Sequence, residues 1–538
     1  MPSSGRLLSL QSRGRARPAR VALIRAPSVV ARFALTLNAT PPLSVAYLAA
    51  ALDAAGHHVQ VVDAVGEALD QFHPAFRDDL VYNGLTVDEI SERLEPDTEL
   101  VGISCLFSHE WPVICDLVQR IRQRFPEAVI VCGGEHATAA PEFSLRGAPA
   151  LDACALGEGE ETVVELADAV ATKAPLSTVP GLCVRAADGS FVRTAPRARL
   201  RELDEIPLPR WDLTPLEAYL DAGYSFGVDR GRTVPILATR GCPYQCTFCS
   251  SPQMWTTRYY MRDPQRTVDE IEHYVDRYDA RNIDFYDLTA IIKRDWILDF
   301  CRELQRRHLP ITFQLPSGTR TEAIDREVAE HLYAAGCRNV SYAPESGSAR
   351  TLELTKKKVK LERMLESMQA SVEAGLNVKA NILIGFPHER PEDLRATLRF
   401  ILEMARVGVH DASVWTFAPY PGSELFESLS RAGRIAELDE DYFADLLSYS
   451  NLLGAVSYSE HLSAAKLERV RVAWQVAFYA ASYLTHPSRP LRSIVNLIAS
   501  RYESRMEMSL ANLLRRLRHD RVVRRTAVRA AATGSTQA

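Results

Sequence analysis

Nowhere do the 538 residues hold an apolar run long enough to cross a bilayer. The best stretch, Val472 to Leu484, is short of the roughly 20 residues that a spanning helix needs and directly follows Arg471. Residues 1–20 contain five Arg, no acid and no apolar h-region, so no secretory signal is visible. A transit peptide shares that Arg-rich composition. We read 1–19 as a disordered basic leader. No Gly-x-Gly-x-x-Gly follows the first strand candidate, which disfavours a dinucleotide site. Basic charge is also scarce where it would matter. The net charge is −5, yet the two ends, 1–20 and 501–538, are rich in Arg, so 21–500 carries about −16. A body of that sign argues against nucleic acid as a partner. Disulfide spacing is missing too: seven of the ten cysteines stand alone in apolar or helical surroundings, as small buried residues do. Few clustered cysteines and no signal point to a reducing cytoplasm.

What is present is a twofold alternation of strands and helices. The apolar fraction of 46% and charged fraction of 24% suit globular domains, two to four of them at about 150 residues each. From Arg20 to Leu166 the pattern alternates. Strand candidates are Arg20–Pro27, His58–Ala64, Leu100–Leu106, Ala128–Cys132 and Ala153–Leu156. Helices are predicted over Pro41–Gly56, over Trp111–Phe125 and from Glu161. The first of these helices has Pro at its start and Gly at its end, the usual asymmetry. This predicts a doubly wound, Rossmann-like parallel sheet over 20–195, closed by a hairpin at Asp188-Gly189. A Pro-rich connector, Leu203–Pro215, falls in a linker spanning 196–233. A second alternation over 234–434 has strands at 234–239, 282–288, 311–315, 339–344, 378–384 and 412–418, each followed by a helix. Six such units predict a partial (β/α)6 barrel, two short of the full eight. Residues 435–538 read as a helical region with a basic tail.

Three cysteines cluster. Gly241 to Ser250 reads GCPYQCTFCS, placing Cys242, Cys246 and Cys249 directly after the first strand of the second alternation. Functional loops of parallel βα arrays lie at the carboxyl ends of their strands. Three thiolates within eight residues can ligate three irons of a [4Fe-4S] cluster and leave the fourth open. The competing reading is zinc, but a structural zinc site needs four closed ligands and no fourth Cys or His is near in sequence.

With Phe248 just before its last cysteine, this segment resembles the radical S-adenosylmethionine (SAM) superfamily, over roughly 234–434. Glu345-Ser346-Gly347-Ser348, after the fourth strand, resembles that superfamily's ribose and amino-acid contact loop. Gly385-Phe386-Pro387, after the fifth, resembles its adenine-contact segment, and Pro419-Tyr420-Pro421-Gly422 after the sixth is also familiar. Related enzymes often end the second strand with two adjacent acids. Here the stretch is Asp284-Phe285-Tyr286-Asp287-Leu288-Thr289, leaving Asp287 for the SAM ammonium. Taken singly, Glu345 reads equally as a surface carboxylate and Gly385 and Pro387 as turn residues. The resemblance implies reductive cleavage of SAM to a 5′-deoxyadenosyl radical, with one electron from a flavodoxin or ferredoxin.

Residues 20–170 resemble the cobalamin-binding domain fused to one large radical SAM class. The resemblance rests on Pro41-Pro42-Leu43, on Ser104 at the third strand end, on Gly133-Gly134-Glu135-His136 after the fourth and on Gly157-Glu158-Gly159-Glu160 after the fifth. A plain Rossmann-like domain is the competing reading. No Asp-x-His-x-x-Gly motif occurs, so the resemblance implies cobalamin without a protein histidine on cobalt. Two activities follow as alternatives. One is C-methylation of a small-molecule or lipid-like substrate. The other is cyclisation or oxidation, as in the anaerobic magnesium-protoporphyrin ester cyclase, which has the same domain order. A cobalamin sensor without catalysis is rejected, because the cysteine triad is intact. The C-terminal region is expected to close the barrel mouth. Its Arg-rich stretch 515–529 has two readings, a solvated tail or a contact with anionic lipid head groups.

Overall fold

The computed structural model describes residues 17–32, 34, 39–319, 323–435, 437–449, 454–512 and 514. The leader up to residue 16 and the stretch 515–529 lie outside the described residues.

The first alternation forms a seven-stranded sheet. Five parallel strands run in the order His58–Asp63, Arg20–Arg25, Leu100–Ser104, Val129–Gly133 and Ala153–Ala155. The antiparallel hairpin Leu182–Arg185 and Phe191–Arg193 completes the edge, turning at Gly189 with φ +83°. Chain order reverses between Arg20–Arg25 and Leu100–Ser104. In open α/β sheets that switch point is where ligands sit, beyond the carboxyl ends of the strands. Helices cover both faces: Leu43–Ala54 with Glu160–Thr172 on one, Val87–Arg93 with Trp111–Arg124 on the other. A three-stranded antiparallel sheet, Ser28–Ala31, Leu80–Asn83 and Phe72–Pro74, was not anticipated. Its strands have three or four residues and one contains Pro74, too little for a period-two signal.

The second alternation forms six parallel strands in sequence order: Thr233–Ile236, Asn282–Phe285, Thr312–Thr319, Cys337–Glu345, Asn377–Ile384 and Asp411–Thr416. This is the partial barrel. Local chemistry starts its helices where the sequence indicates. Asp263 accepts from the N–H groups of Gln265 and Arg266 ahead of Pro264–Tyr278, and Asp325 and Ser423 cap Arg326–Ala334 and Glu424–Arg431. The apolar core lies between strands and helices, with Phe285, Phe300 and Phe313 packed edge to face.

The segment between the sheets is folded, not free. It carries the helix Leu216–Ala222 and buries Trp211 and Tyr219, and Tyr219 donates to Asp63 at 2.7 Å. In the C-terminal region, helix Ala464–Thr485 packs against helix Pro391–Arg406 and the last barrel strand. Among the described residues no helix is long and apolar enough to cross a membrane.

Candidate active site where the two sheets meet

After the first barrel strand a short strand, Thr239–Arg240, pairs with Tyr260–Met261, and the cysteine loop leaves it at Gly241, whose φ of +92° and contact with the Arg258 carbonyl exclude any side chain. The loop is pinned midway. Thr247 donates its N–H to the Thr355 carbonyl at 3.0 Å and accepts from Leu425 at 2.8 Å. Cys242, Cys246 and Cys249 are half-buried, and the Cys249 N–H donates to the Cys246 carbonyl at 3.1 Å. Among the described residues no three His, Cys, Asp or Glu side chains converge as ligands of a single ion. A cubane instead binds each thiolate to its own iron, so a loop of three separated thiols suits it and not zinc.

The structure brings the other barrel motifs to this loop. Phe248 packs on Phe386, ring centres 5.6 Å apart, which sets the loop against Gly385-Phe386-Pro387. The Lys357 ammonium lies 5.9 Å over the Phe248 ring and donates to Glu345 at 2.9 Å. Glu345 holds φ +64° at its strand end. Beyond it the chain is stapled to helix Pro391–Arg406. Ser346 shares a hydrogen bond with Thr397 at 3.0 Å, the Gly347 N–H donates to Thr397 at 3.1 Å, and Ser348 donates to Asp393 at 2.6 Å. A Cβ on Gly347 would fall 2.8 Å from the Thr397 backbone. Ser346 and Gly347 are thus fixed against that helix, and Glu345 borders the cavity described below. Gly385, φ +89°, donates its N–H to Glu389 at 2.5 Å, and the Pro387 carbonyl accepts from Glu460 at 2.9 Å. Asp287 is fully buried. It accepts from the Thr239 hydroxyl and, at 3.3 Å, from the Ala238 N–H, so both oxygens steady the approach to the cysteine loop. Burial pushes its carboxyl up to about 6.

The strand ends of the first sheet face the same loop. Ser104 pairs with Gly133, and the Cys105 N–H donates to the Gly133 carbonyl at 2.8 Å. Glu135 accepts a hydrogen bond from Ser250, the residue after Cys249. The Gly157 N–H donates to Thr138 at 3.0 Å, and Thr138 donates to Met254 at 3.4 Å. Glu158 accepts from Arg199 at 2.8 Å and from Arg240 at 3.3 Å, and Glu160 accepts from Arg240 at 2.6 Å. Burial would raise the Glu160 carboxyl, but the Arg240 guanidinium holds it below its ordinary range. Arg240 stands two residues before Cys242, so this clasp ties one sheet's strand ends to the other's cysteine loop.

Of the four glycines assigned to this rim, two are fixed by protein contact. A Cβ on Gly134 would lie 2.5 Å from the Cys105 carbonyl oxygen, and one on Gly159 would lie 2.8 Å from Leu48. A Cβ on Gly133 or Gly157 would meet only ordinary contacts, 3.6 Å to Ala155 and 3.9 Å to the Met254 carbonyl oxygen, so packing alone does not demand glycine at these two strand ends. His136 is not at the rim surface. It is buried, its nitrogens lie 3.0 and 3.3 Å from the Ser108 and Ser144 hydroxyls, and burial pushes its pKa down to about 3.

A cavity of about 560 Å³ joins the two halves. Thr40 and Phe107 of the first domain border it above. Glu345, Leu383 and Trp415 line its upper wall, and Lys379, Asp411 and Arg505 its lower wall.

Comparisons with known proteins agree with this geometry. Residues 236–401 match the Radical SAM superfamily and residues 31–167 the B12 binding domain, the class that barrel and fused sheet define. The chain is 30% identical over 390 residues to an uncharacterized methyltransferase of Pyrococcus horikoshii, covering 72% of this chain and 78% of that one. It is 29% identical to the anaerobic magnesium-protoporphyrin IX monomethyl ester cyclase of Rubrivivax gelatinosus, covering 75% and 69%. The fold superposes on the methyltransferase TsrM of Kitasatospora setae, solved with tryptophan substrate and a SAM analogue, with a TM-score of 0.60, 20% identity and 77% of each chain covered. The chain therefore belongs to the cobalamin-binding radical SAM family, whose cofactors are a [4Fe-4S] cluster, SAM and cobalamin. The donor set fits them: three thiols on one loop for the cluster, and for the corrin the strand ends at Gly133 and Gly157, where packing alone does not demand glycine.

Proposed function

We propose that the protein methylates an unactivated sp³ carbon of a small molecule held in the barrel lumen. One observation carries this reading: a single cavity borders Phe107 and Thr40 of the cobalamin-binding domain and Glu345, Leu383 and Trp415 of the barrel. Glu345 ties that cavity to the cysteine loop through Lys357 and Phe248, and Phe107 lies just beyond the strand end at Ser104, so a substrate there would lie between the loop and the strand ends that would carry a methyl donor. When bound, the reduced cluster with SAM supplies a hydrogen-abstracting radical, and cobalamin supplies the methyl group.

In this reading Cys242, Cys246 and Cys249 hold the cluster. Glu345 offers its carboxylate to SAM from the cavity wall, and Gly385 with Pro387 lets the adenine approach backbone. Asp287 keeps residues 238 and 239 in place through its two hydrogen bonds. Gly133 and Gly157 leave space for the corrin, and the Arg240 clasp keeps the two rims together and water out. A donor of the flavodoxin or ferredoxin type would supply the electron.

The test is a product ratio in the anaerobically reconstituted enzyme with candidate substrates. Methylation consumes two SAM molecules per turnover, so S-adenosylhomocysteine and 5′-deoxyadenosine should form in near-equal amounts, and label from deuterated SAM methyl groups should enter the product. Substrate-dependent 5′-deoxyadenosine with no S-adenosylhomocysteine and no label would move the assignment to cyclisation or oxidation, the activity named for the Rubrivivax relative.

A further inference from the structure

The lower half of the cavity contains charge that the chemistry above does not use. Strand Asn377–Ile384 alternates strictly. Val378, Ala380, Ile382 and Ile384 are buried against helices, while Asn377, Lys379, Asn381 and Leu383 line the lumen. A lysine in that inner row is costly unless something answers its charge. Among the described residues the Lys379 ammonium has neither a hydrogen bond nor an ion pair. Among the described residues Arg505, across the lumen, donates only to the Gly227 carbonyl at 2.8 Å.

The carboxylates nearby are committed elsewhere. Asp411 accepts from the Tyr479 hydroxyl at 2.6 Å and the Met506 N–H at 3.1 Å. Asp284 accepts from the Gly227 N–H at 2.8 Å and from Asn282 at 3.2 Å. Glu503 pairs with Arg492 at 2.7 Å. His410 accepts from the Val378 N–H at 3.2 Å, and burial keeps it neutral with its pKa pushed down to about 3. These groups hold the walls, and the two cations face the space between them.

We propose that Lys379 and Arg505 form an anion-binding end of the substrate site, which selects molecules carrying a carboxylate or a phosphate. This rests on the reading of the lumen as the substrate site. Burial lowers the Lys379 ammonium to about 8 and pulls Arg505 below its ordinary value, and the Asp411 carboxylate, which acts on both, with Asp284 near Arg505, offsets this only in part. Four residues of strand separate Lys379 from Leu383, so at about 3.3 Å each the anionic group would sit on the order of 13 Å below the strand end. The substrate therefore presents its anion to the floor and its reacting carbon to the rim. Phe226 and Trp415 on the cavity wall suit an apolar body between the two.

The test uses the cofactor-loaded full chain with three probes that share one phenyl ring: benzoate, phenyl phosphate and the uncharged benzamide. Binding is followed by ligand-observed NMR titration. One or both anions should bind at least tenfold tighter than benzamide, and the tighter of the two names the substrate's group. Lys379→Gln and Arg505→Gln should each erase most of that preference, Lys379→Arg should retain it, and all three should keep the parental iron and cobalamin content. Equal binding of anions and amide by the parent protein, or an undiminished preference in both glutamine variants, would overturn the proposal. The outcome is independent of the nucleoside ratio above. A preference for anions alongside a cyclase-type ratio leaves the floor assignment standing, and a methylation ratio with no anion preference removes only the floor.

Discussion

The rim and the floor of the barrel treat charge in opposite ways. At the rim buried charges come in matched sets, Arg240 with Glu158 and Glu160 and Lys357 with Glu345, and the buried Asp393 is answered by the partly exposed Arg350 at 2.7 Å. At the floor Asp411 and Asp284 are spent on backbone, hydroxyl and amide donors, Glu503 on Arg492, and two cations line the lumen. A buried pair resists being broken because the surviving partner is stranded, so the rim is built to keep its shape. A buried ionisable group without a partner is costly, so it gives up its charge or is completed by a ligand. The difference separates construction from recognition within one cavity.

The largest effect expected on the rim side comes from its loop. The triple Cys242/Cys246/Cys249→Ala variant should bind almost no iron or sulfide after anaerobic reconstitution, against about four of each for one [4Fe-4S] centre. It should form no 5′-deoxyadenosine. Iron retained at the parental level would separate the loop from the cluster. Next in size is the clasp. Arg240→Met strands Glu160 and weakens the hold on Glu158, and calorimetry should show a loss of about 3–5 kcal/mol. Adding Glu160→Gln to that variant should recover part of the loss. A change within about 0.5 kcal/mol would mean that the two rims are held by apolar contact alone.

The smallest effect concerns the exception at the rim. Glu389 is buried without a cation. One oxygen accepts the Gly385 N–H, and the other has no partner among the described residues. Burial pushes its carboxyl up to about 8. The folded chain then holds a proton that the unfolded chain releases near its ordinary value, about 4.3. The corresponding stability is full below that value and is lost as the pH rises through about 8. Glu389→Gln should flatten the decline of melting temperature between pH 5 and pH 8. An unchanged slope would assign the decline to other groups.

Much of this was legible in the sequence. The cysteine loop, the six-strand order and helices such as Pro264–Tyr278 follow from local patterns, namely Cys spacing, strand runs and an Asp-Pro start. The clasp was not legible. Glu158 and Glu160 lie some eighty residues from Arg240, and nothing local marks them as its partners. His136 stands beside two glycines at a strand end, and only the packing of Trp111, Phe143 and Phe443 around it shows that it is sealed inside. Lys379 did carry a signal. Strands of a parallel sheet covered on both faces read as nearly continuous apolar runs, and Asn377, Lys379 and Asn381 break that rule every second residue. That period of two marks a face turned to a lumen.

Glu345 has one more consequence. A non-glycine residue in the left-handed region costs about 1–3 kcal/mol and persists only where its surroundings over-determine it. Here the ion pair with Lys357 on one side and the Ser346, Gly347 and Ser348 staples on the other supply that constraint. The turn is thus set before any ligand arrives, and the entropy of ordering it is charged to folding, not to binding. A site made this way spends little affinity on its own rearrangement, and more of the contact energy remains to hold a reacting carbon in line.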